Sequence, residues 1–249
     1  MMKSSIFNAL AITILFGFFS YACSPDTEAQ TESDTTSSND TPNVLIFGGG
    51  DHHDFDRWFN EEDSTIIAGT GADVRYTDDP SEVLPALSEI DILNMNTNQS
   101  IDIPEFPDRI IDFVEEGKGL LLVHAASWFN WDWPDYYSTL IGGGTSSHGP
   151  FGEFEVYVED TDHPLMENVP ERFTITDELY RFQRDEDAAD MHILAIGIEP
   201  DTGDEYPVAW TVEHGNGRVV VTTLGHDGEA HQHEAFVALL ENSIEWLSQ

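Results

Sequence analysis

Apolar runs of strand length alternate with amphipathic segments from residue 43 onward, and this alternation constrains the fold more than any other feature of the chain. The runs are continuously aliphatic, which is typical of strands buried on both faces. Alternation of such strands with helices predicts a parallel sheet with right-handed crossovers. The predicted strands are 44–47, 74–76, 90–93 and 120–123, and the predicted helices are 58–68, 81–87 and 107–116. The first half of the chain is therefore predicted to form a doubly wound α/β layer.

The pattern changes beyond Gly149, where apolar and polar residues begin to alternate. Period-two segments at 153–158 and 206–211 predict strands with one polar face. The second of them is joined to a strand at 218–223 by a glycine-rich loop, 213–217, with hairpin chemistry. A final helix places its apolar residues on one core-facing stripe. The stripe consists of Phe236, Leu239, Leu240, Ile244 and Leu247. The fold class is thus α/β, with a mostly parallel sheet and antiparallel additions in the C-terminal half.

The charge of the chain excludes one class of partner. There are 48 acidic and 9 basic residues, for a net charge of −39, yet 40% of the residues are hydrophobic, so the chain can form a core. Neutralising phosphates requires clustered Lys and Arg, so nucleic acid is excluded as a partner. The glycines at 48–50 lack the spacing of a dinucleotide fingerprint or a P-loop, so nucleotide binding is not predicted either.

The acidity belongs to the predicted folded domain. Five acids and one base precede residue 43, which leaves 43 acids, 8 bases and a charge of −35. Scattered acids with almost no lysine indicate a surface adapted to high salt, where counterions screen self-repulsion. An acidic patch that recruits a basic partner is the alternative interpretation, which the even scatter disfavours.

The amino terminus predicts export. Residues 1–22 combine Lys3, a short apolar stretch and a small-residue end, which is the pattern of a signal peptide. Cys23 follows directly and resembles the lipid-modified cysteine of bacterial lipoproteins, so we expect an anchor in the cell envelope, in the outer membrane; ordinary secretion is the alternative. Residues 23–42 are polar and acidic and predict a flexible linker. The domain is then 43–249, and because Cys23 is the only cysteine, the domain has neither a disulfide nor a catalytic thiol.

Histidines follow the predicted strand ends. His52 and His53 come after the first strand, His124 after the fourth and His226 after the last, while His148 lies in a glycine-rich loop. Parallel strands direct their carboxyl ends to one edge of a sheet, where ligands bind. Any one of these histidines could simply tie loops together. Taken jointly, they predict a site.

Three further segments have both a functional and a structural interpretation. Asp177 and Glu178 follow a predicted strand at 173–175; Thr176 can cap a helix that starts there, or the carboxylates can orient imidazoles, bind sugar hydroxyls or act as a general base. The loop at 128–133 is rich in tryptophan and is either a platform for sugar rings or a lid packed on its own domain. The histidines of His231-Gln232-His233 are either ligands or solvent-facing residues.

Together these segments resemble the ThuA-like (trehalose-utilisation) family of the class I glutamine-amidotransferase-like superfamily. The resemblance runs in order from Asn43 to the carboxyl terminus. Its pieces are His52-His53-Asp54-Phe55, Gly117-Lys118-Gly119-Leu120, His124-Ala125-Ala126, Tyr137 with Leu140-Ile141-Gly142-Gly143 and His148, His163-Pro164-Leu165, Asp177-Glu178-Leu179-Tyr180, Pro207-Val208-Ala209-Trp210, Gly217-Arg218-Val219 and Thr222-Thr223-Leu224-Gly225-His226. The resemblance implies a flavodoxin-like fold and a role in disaccharide catabolism. Amidotransferase relatives use a Cys where this chain has His124-Ala125-Ala126, so that activity is not expected.

The resulting hypothesis is an exported enzyme that acts on a disaccharide, a glycoside or a keto-derivative through a His/Asp/Glu pocket. The candidate catalytic residues are His53, His124, Asp177, Glu178 and His226. The candidate substrate-binding residues are Asp54, Trp128, Trp131, Tyr137, His148 and Tyr180. A divalent metal such as zinc has His52, His124 and His226 as candidate ligands; proton abstraction without a metal is the alternative. A sugar-binding lipoprotein without catalysis, in which the tryptophans make the contacts, is the rival hypothesis.

Overall fold

The computed structural model describes residues 41–249. The predicted signal peptide, Cys23 and all but the last two residues of the predicted linker lie outside the described residues. Within residues 41–249, every helix is too short or too polar to cross a membrane.

A sheet of nine strands forms the centre of the domain. The strands of the chain are β1 (Asn43–Phe47), β2 (Asp73–Thr77), β3 (Ile92–Met95), β4 (Gly119–Val123), β5 (Gly143–Gly144), β6 (Gly152–Val158), β7 (Arg172–Asp177), β8 (Gln183–Arg184), β9 (His192–Ile198), β10 (Glu205–His214) and β11 (Gly217–Thr222). Their order in the large sheet is β2-β1-β3-β4-β11-β10-β9-β6-β7, and β5 pairs separately with β8. The first five strands in this order are parallel and the remaining pairs are antiparallel. The predicted fold class is confirmed.

Helices cover both faces of the sheet. A helical segment begins as a π-helix at Asp56–Asp63 and continues as α1 (Ser64–Gly69). The other α-helices are α2 (Pro80–Ala86), α3 (Phe106–Glu115), α4 (Pro134–Tyr136), α5 (Gly228–His231) and α6 (Glu234–Leu247), and a π-helical turn at Tyr137–Ile141 continues α4. Local chemistry sets the start of α2. Pro80 is its first residue, and the carboxylate of the preceding residue, Asp79, accepts the Ser81 N–H.

Alternate residues of the central strands bury against opposite helical layers. Val44 and Ile46 of β1 pack into the cluster that holds the apolar stripe of α6, whereas Leu45 and Phe47 pack into the cluster of α2 and α3. All five residues of the predicted stripe of α6 are buried. This two-sided burial explains why the strands are continuously aliphatic.

Two elements differ from the sequence-based expectations. The interpretation of Asp177 as part of a helix start is wrong, because Asp177 ends β7 and loop residues follow it. Strand β9 was not predicted, and it separates β6 from β10 in the sheet.

Strand direction determines which loops meet. Because the antiparallel pairs alternate in direction, β7 runs the same way as β11 and the four other parallel strands. The carboxyl end of β7 therefore lies at the same edge of the sheet as the carboxyl ends of β1, β4 and β11. The loop before β6 enters from that edge as well.

Candidate active site

Three imidazole rings meet at the carboxyl edge of the sheet. His53 follows β1, His124 follows β4 and His226 follows β11. The His53 ring centroid lies 5.0 Å from that of His124 and 4.9 Å from that of His226, and the His124–His226 separation is 5.4 Å. One nitrogen from each ring lies within 4.8 Å of the other two. We call this group the histidine cluster.

The histidine cluster corrects one predicted ligand. His53, not His52, supplies the third imidazole. His52 has a left-handed backbone, with φ of 73°, and its exposed ring lies on the wall of the adjoining cavity. The turn after β1 thus sends one of the two neighbouring rings inward and leaves the other in solvent.

His124 is the most buried member of the cluster. Its side chain is completely inaccessible to solvent, and its backbone φ is 43°. The ring Nδ1 lies 2.7 Å from the carbonyl oxygen of Thr223, which can only accept, so Nδ1 carries the proton. The unprotonated Nε2 is then directed toward the other rings and makes no hydrogen bond within residues 41–249. Burial and the neighbouring His53 lower the pKa of His124 well below its ordinary value.

His53 is also held as a neutral ring. Burial, reinforced by the neighbouring His226, lowers the pKa of His53 from 6.5 to about 4. Its Nδ1 is buried and has no hydrogen-bond partner among the described residues. Two of the three imidazoles therefore offer a lone pair at neutral pH.

Glu178 adds a carboxylate beside the cluster. Its Oε2 lies 3.2 Å from His226 Nδ1 and 3.9 Å from His124 Nε2, and its Oε1 lies 3.6 Å from His148 Nδ1. Burial acts to raise the pKa of Glu178, but the imidazoles around it, His226 foremost, hold it below its ordinary value. In return, Glu178 raises the pKa of His226. The two groups therefore favour a carboxylate paired with a protonated imidazole.

Asp177 lies underneath this pair. It is fully buried and accepts three backbone N–H groups, from Gly225 at 2.7 Å, Glu178 at 2.7 Å and His226 at 3.2 Å. Burial raises the pKa of Asp177 to about 7, against the opposing effect of these three donors. Because its oxygens are occupied and it does not line the cavity, Asp177 fixes the loops that carry Glu178 and His226.

A cavity of about 660 Å³ opens above the histidine cluster. Its aromatic wall is Trp128, whose ring centroid lies 5.2 Å from that of Tyr180 and 5.8 Å from that of His148. The lining residues are Asp51, His52, His53, Asn98, Ala125, Trp128, Asn130, His148, Glu178, Tyr180 and His226. The cavity thus combines an aromatic face with imidazole, carboxylate and amide groups, which suits a small polar ligand.

Three predicted substrate-binding residues lie outside this cavity. Trp131 stacks on Trp133 at 4.5 Å, and its Nε1 donates to the carbonyl of Gln99. The hydroxyl of Tyr137 donates to the carbonyl of Trp128. Asp54 is exposed, and its Oδ1 accepts the Arg57 N–H at the start of the first helical segment. For Trp131 and Tyr137 the structural interpretation of the aromatic loop holds, since both shape the loop that presents Trp128.

Sequence reasoning missed several residues at the cavity. Asn98 and Asn130 line it, and Phe151 lies next to one of its lining residues, with its ring centroid 5.4 Å from that of His226. Asn98 follows β3, a parallel strand, so the strand-end rule could have found it. Nothing in the local sequence distinguishes Phe151, which reaches His226 because the loop before β6 enters at this edge of the sheet.

The donor set fits a divalent metal ion. Each ring of the histidine cluster has one buried nitrogen with no aligned hydrogen bond to residues 41–249. Two of the rings are neutral, and the His124 tautomer is fixed from behind by Thr223, as is usual for metal-binding histidines. Three imidazoles with an adjacent carboxylate are typical of zinc sites.

Comparison with known proteins gives a family match over almost the whole domain. The model of the family described as "Trehalose utilisation" matches residues 43–247. A thua-like protein from Parabacteroides merdae is 24% identical with a TM-score of 0.71, covering 84% of this chain and 90% of its own. One from Bacteroides uniformis is 23% identical with a TM-score of 0.69, covering 84% and 92%. None of the curated proteins matches the chain.

Proposed function

Because the chain belongs to the ThuA family, we propose that it is an exported enzyme of disaccharide use whose histidine cluster holds a divalent cation of the zinc class. The observation that carries the proposal is the cluster itself. Nitrogens of His53, His124 and His226 lie within 4.8 Å of one another, and each ring has a buried nitrogen without a hydrogen bond to the described residues. Burying His53 Nδ1 and His124 Nε2 without a hydrogen bond is unfavourable, and His226 Nδ1 has only the Glu178 carboxylate at 3.2 Å, so a ligand that binds all three rings accounts for their arrangement.

The side chains around the cluster suit sugar chemistry. A bound zinc-class cation would supply a Lewis acid that polarises a carbonyl or lowers the pKa of water. Glu178 is the base in this proposal, because its carboxylate is ionised and contacts two of the rings. Trp128 presents the apolar surface on which a sugar ring packs.

The cavity limits the size of the substrate. A volume of about 660 Å³ accommodates one or two hexose rings, whereas a polysaccharide is too large to fit inside it. We therefore propose a disaccharide such as trehalose, another small glycoside or a keto-derivative of one as the substrate.

A second candidate is proton transfer without a metal. It is favoured by the contact of 3.2 Å between Glu178 Oε2 and His226 Nδ1, which lowers the pKa of the acid and raises that of the imidazole. A base and an acid so placed could move a proton at a carbon next to a sugar ketone, as elimination or isomerisation requires.

Metal content decides between the two candidates. We expect purified full-length protein to hold about one equivalent of zinc, and His124→Ala to lose both the metal and turnover of trehalose or its keto-derivative. His192→Ala is the matched control, since it removes an exposed histidine that lies outside both the cluster and the cavity. Absence of metal together with full activity of His124→Ala would refute the metal-assisted version. If sugars bind to the protein and are recovered without chemical conversion, the non-catalytic sugar-binding alternative is favoured.

The proposed location depends on the amino terminus. We propose that residues 1–22 are removed and that Cys23 is lipidated, which would tether the domain to the outer membrane through the linker. The Cys23→Ser variant should then appear in the soluble fraction of a bacterial host, whereas the parental chain should fractionate with membranes and carry the mass of a lipid. Equal fractionation of the two proteins would contradict the anchor.

A further inference from the structure

The pair formed by Asp63 and His231 lies outside the cavity, and we infer that it positions His226 for ligand binding by holding the main chain of Gly225. This inference rests on the proposed function of the histidine cluster. His231 is one of the two histidines in the His231-Gln232-His233 motif. The other, His233, is the N-cap of α6, and its Nδ1 accepts the Ala235 N–H.

The contacts of His231 determine where its protons are. Its Nδ1 lies 2.7 Å from Asp63 Oδ1, and its Nε2 lies 3.1 Å from the carbonyl oxygen of Gly225. A carbonyl can only accept, so Nε2 must carry a proton and donate it to Gly225. Both side chains of the pair are completely inaccessible to solvent.

Gly225 is held from its other side as well. Its N–H donates to Asp177 Oδ2 at 2.7 Å, and the following N–H, of His226, donates to Asp177 Oδ1 at 3.2 Å. Gly225 adopts a φ of 118°, a conformation that favours glycine. The peptide groups before and after Gly225 are therefore each bound by a buried side chain, and the His226 ring projects from the residue that follows.

The surroundings of His231 fix its position as well as its protons. Burial lowers the pKa of His231 and raises that of Asp63, and each partner opposes the effect of burial on the other; for His231 the result lies above its ordinary pKa, and for Asp63 it also lies above the ordinary pKa. Trp58 stacks on the ring at 6.2 Å, and Phe59 and Phe236 pack against it at 4.6 and 4.9 Å. The pair is thus enclosed by aromatic side chains that fix the position of the imidazole.

A gain in folding stability does not readily explain why an Asp–His pair is buried here. Desolvation of the two charges opposes their attraction, and apolar residues of similar volume are often as stable or more so. An apolar residue at position 231 could fill the space but could not donate to Gly225. The directional bond is therefore the property that the pair provides, and it acts on the residue before His226.

Zinc affinity tests the inference. We expect the metal-stripped full-length chain to bind zinc, measured by competition with a chromogenic chelator, and His231→Leu and Asp63→Leu to weaken binding 10- to 100-fold. Asp63→Asn should stay within a few-fold of the parental affinity, because its amide can donate to Nδ1 while Nε2 still donates to Gly225. Ile67→Val is the control for loosened packing, since Ile67 is fully buried in α1 and lies outside these contacts.

The outcomes separate this inference from the proposed function. A parental chain that binds no zinc overturns both. Tight zinc binding by the parent and equally tight binding by His231→Leu overturns the positioning role alone, as does an equal loss in Ile67→Val. One measurement needs no folded variant: nitrogen-15 NMR of the metal-free parent should show a proton on His231 Nε2 at neutral pH, and an unprotonated Nε2 contradicts the inference.

Discussion

The metal-free fold should lose stability in mild acid, and His53 should account for a measurable part of the loss. Its pKa is about 4 in the folded chain, against an ordinary value of 6.5 once the chain unfolds. Between these two values the unfolded state binds a proton that the folded state excludes, so the free energy of unfolding must fall as the pH falls. The full difference corresponds to about 3 kcal/mol, which is a large share of the stability of a typical domain.

The assay is urea unfolding of the chelator-treated full-length protein at pH 7, 6, 5 and 4 and at constant ionic strength. His53→Asn should show a shallower fall in the free energy of unfolding, by about 3 kcal/mol between pH 7 and 4. His52→Asn replaces the exposed histidine of the same turn and should keep the parental fall. The fall should not vanish in His53→Asn, because the pKa of His124 is lowered in the same direction. Parallel curves for the parent and His53→Asn would refute the reasoning.

Three further outcomes are expected. Transfer from 1 M to 0.1 M salt should lower the urea concentration at which half of the protein is unfolded, because less salt screens the repulsion between acidic surface side chains. An unchanged midpoint would count against salt adaptation. Phe151→Ala should raise KM for the sugar severalfold, whereas Phe129→Ala, which removes an equally exposed ring away from the cavity, should not. Gly48→Ala would place a Cβ 2.6 Å from the Tyr76 hydroxyl and should cost about 1–3 kcal/mol in urea unfolding. Gly69→Ala meets no atom within 4 Å and should be neutral or stabilising; equal losses would contradict the steric argument.

The parallel half of the sheet could be predicted because its strands are buried on both faces and therefore continuously aliphatic. Strand β9 was missed although its sequence, His192–Ile198, contains an apolar run of strand length. Its place between β6 and β10 depends on pairings between distant segments. A helix start was one of the two interpretations of Asp177 and Glu178, because capping residues and acids also occur at strand ends.

The strand-end rule brought His53, His124 and His226 to one edge, since that result follows from topology alone. It could not choose between His52 and His53, because the backbone of the turn decides which ring points inward. Local sequence likewise could not separate Trp128 from Trp131, whose indole stacks on Trp133 and donates to Gln99. The pairing of Asp63 with His231 spans 168 residues and leaves no local signal.

The left-handed backbone of His124 has a consequence for how this domain can change. An L-residue with a φ of 43° carries a strain of about 1–2 kcal/mol that glycine would relieve. Glycine would relieve that strain but would leave a cavity in place of the buried ring and the Thr223 carbonyl without its donor. Strain relief and loss of packing thus oppose each other at position 124, so a search for more stable variants of this domain has to measure ligand capture at this position as well as stability.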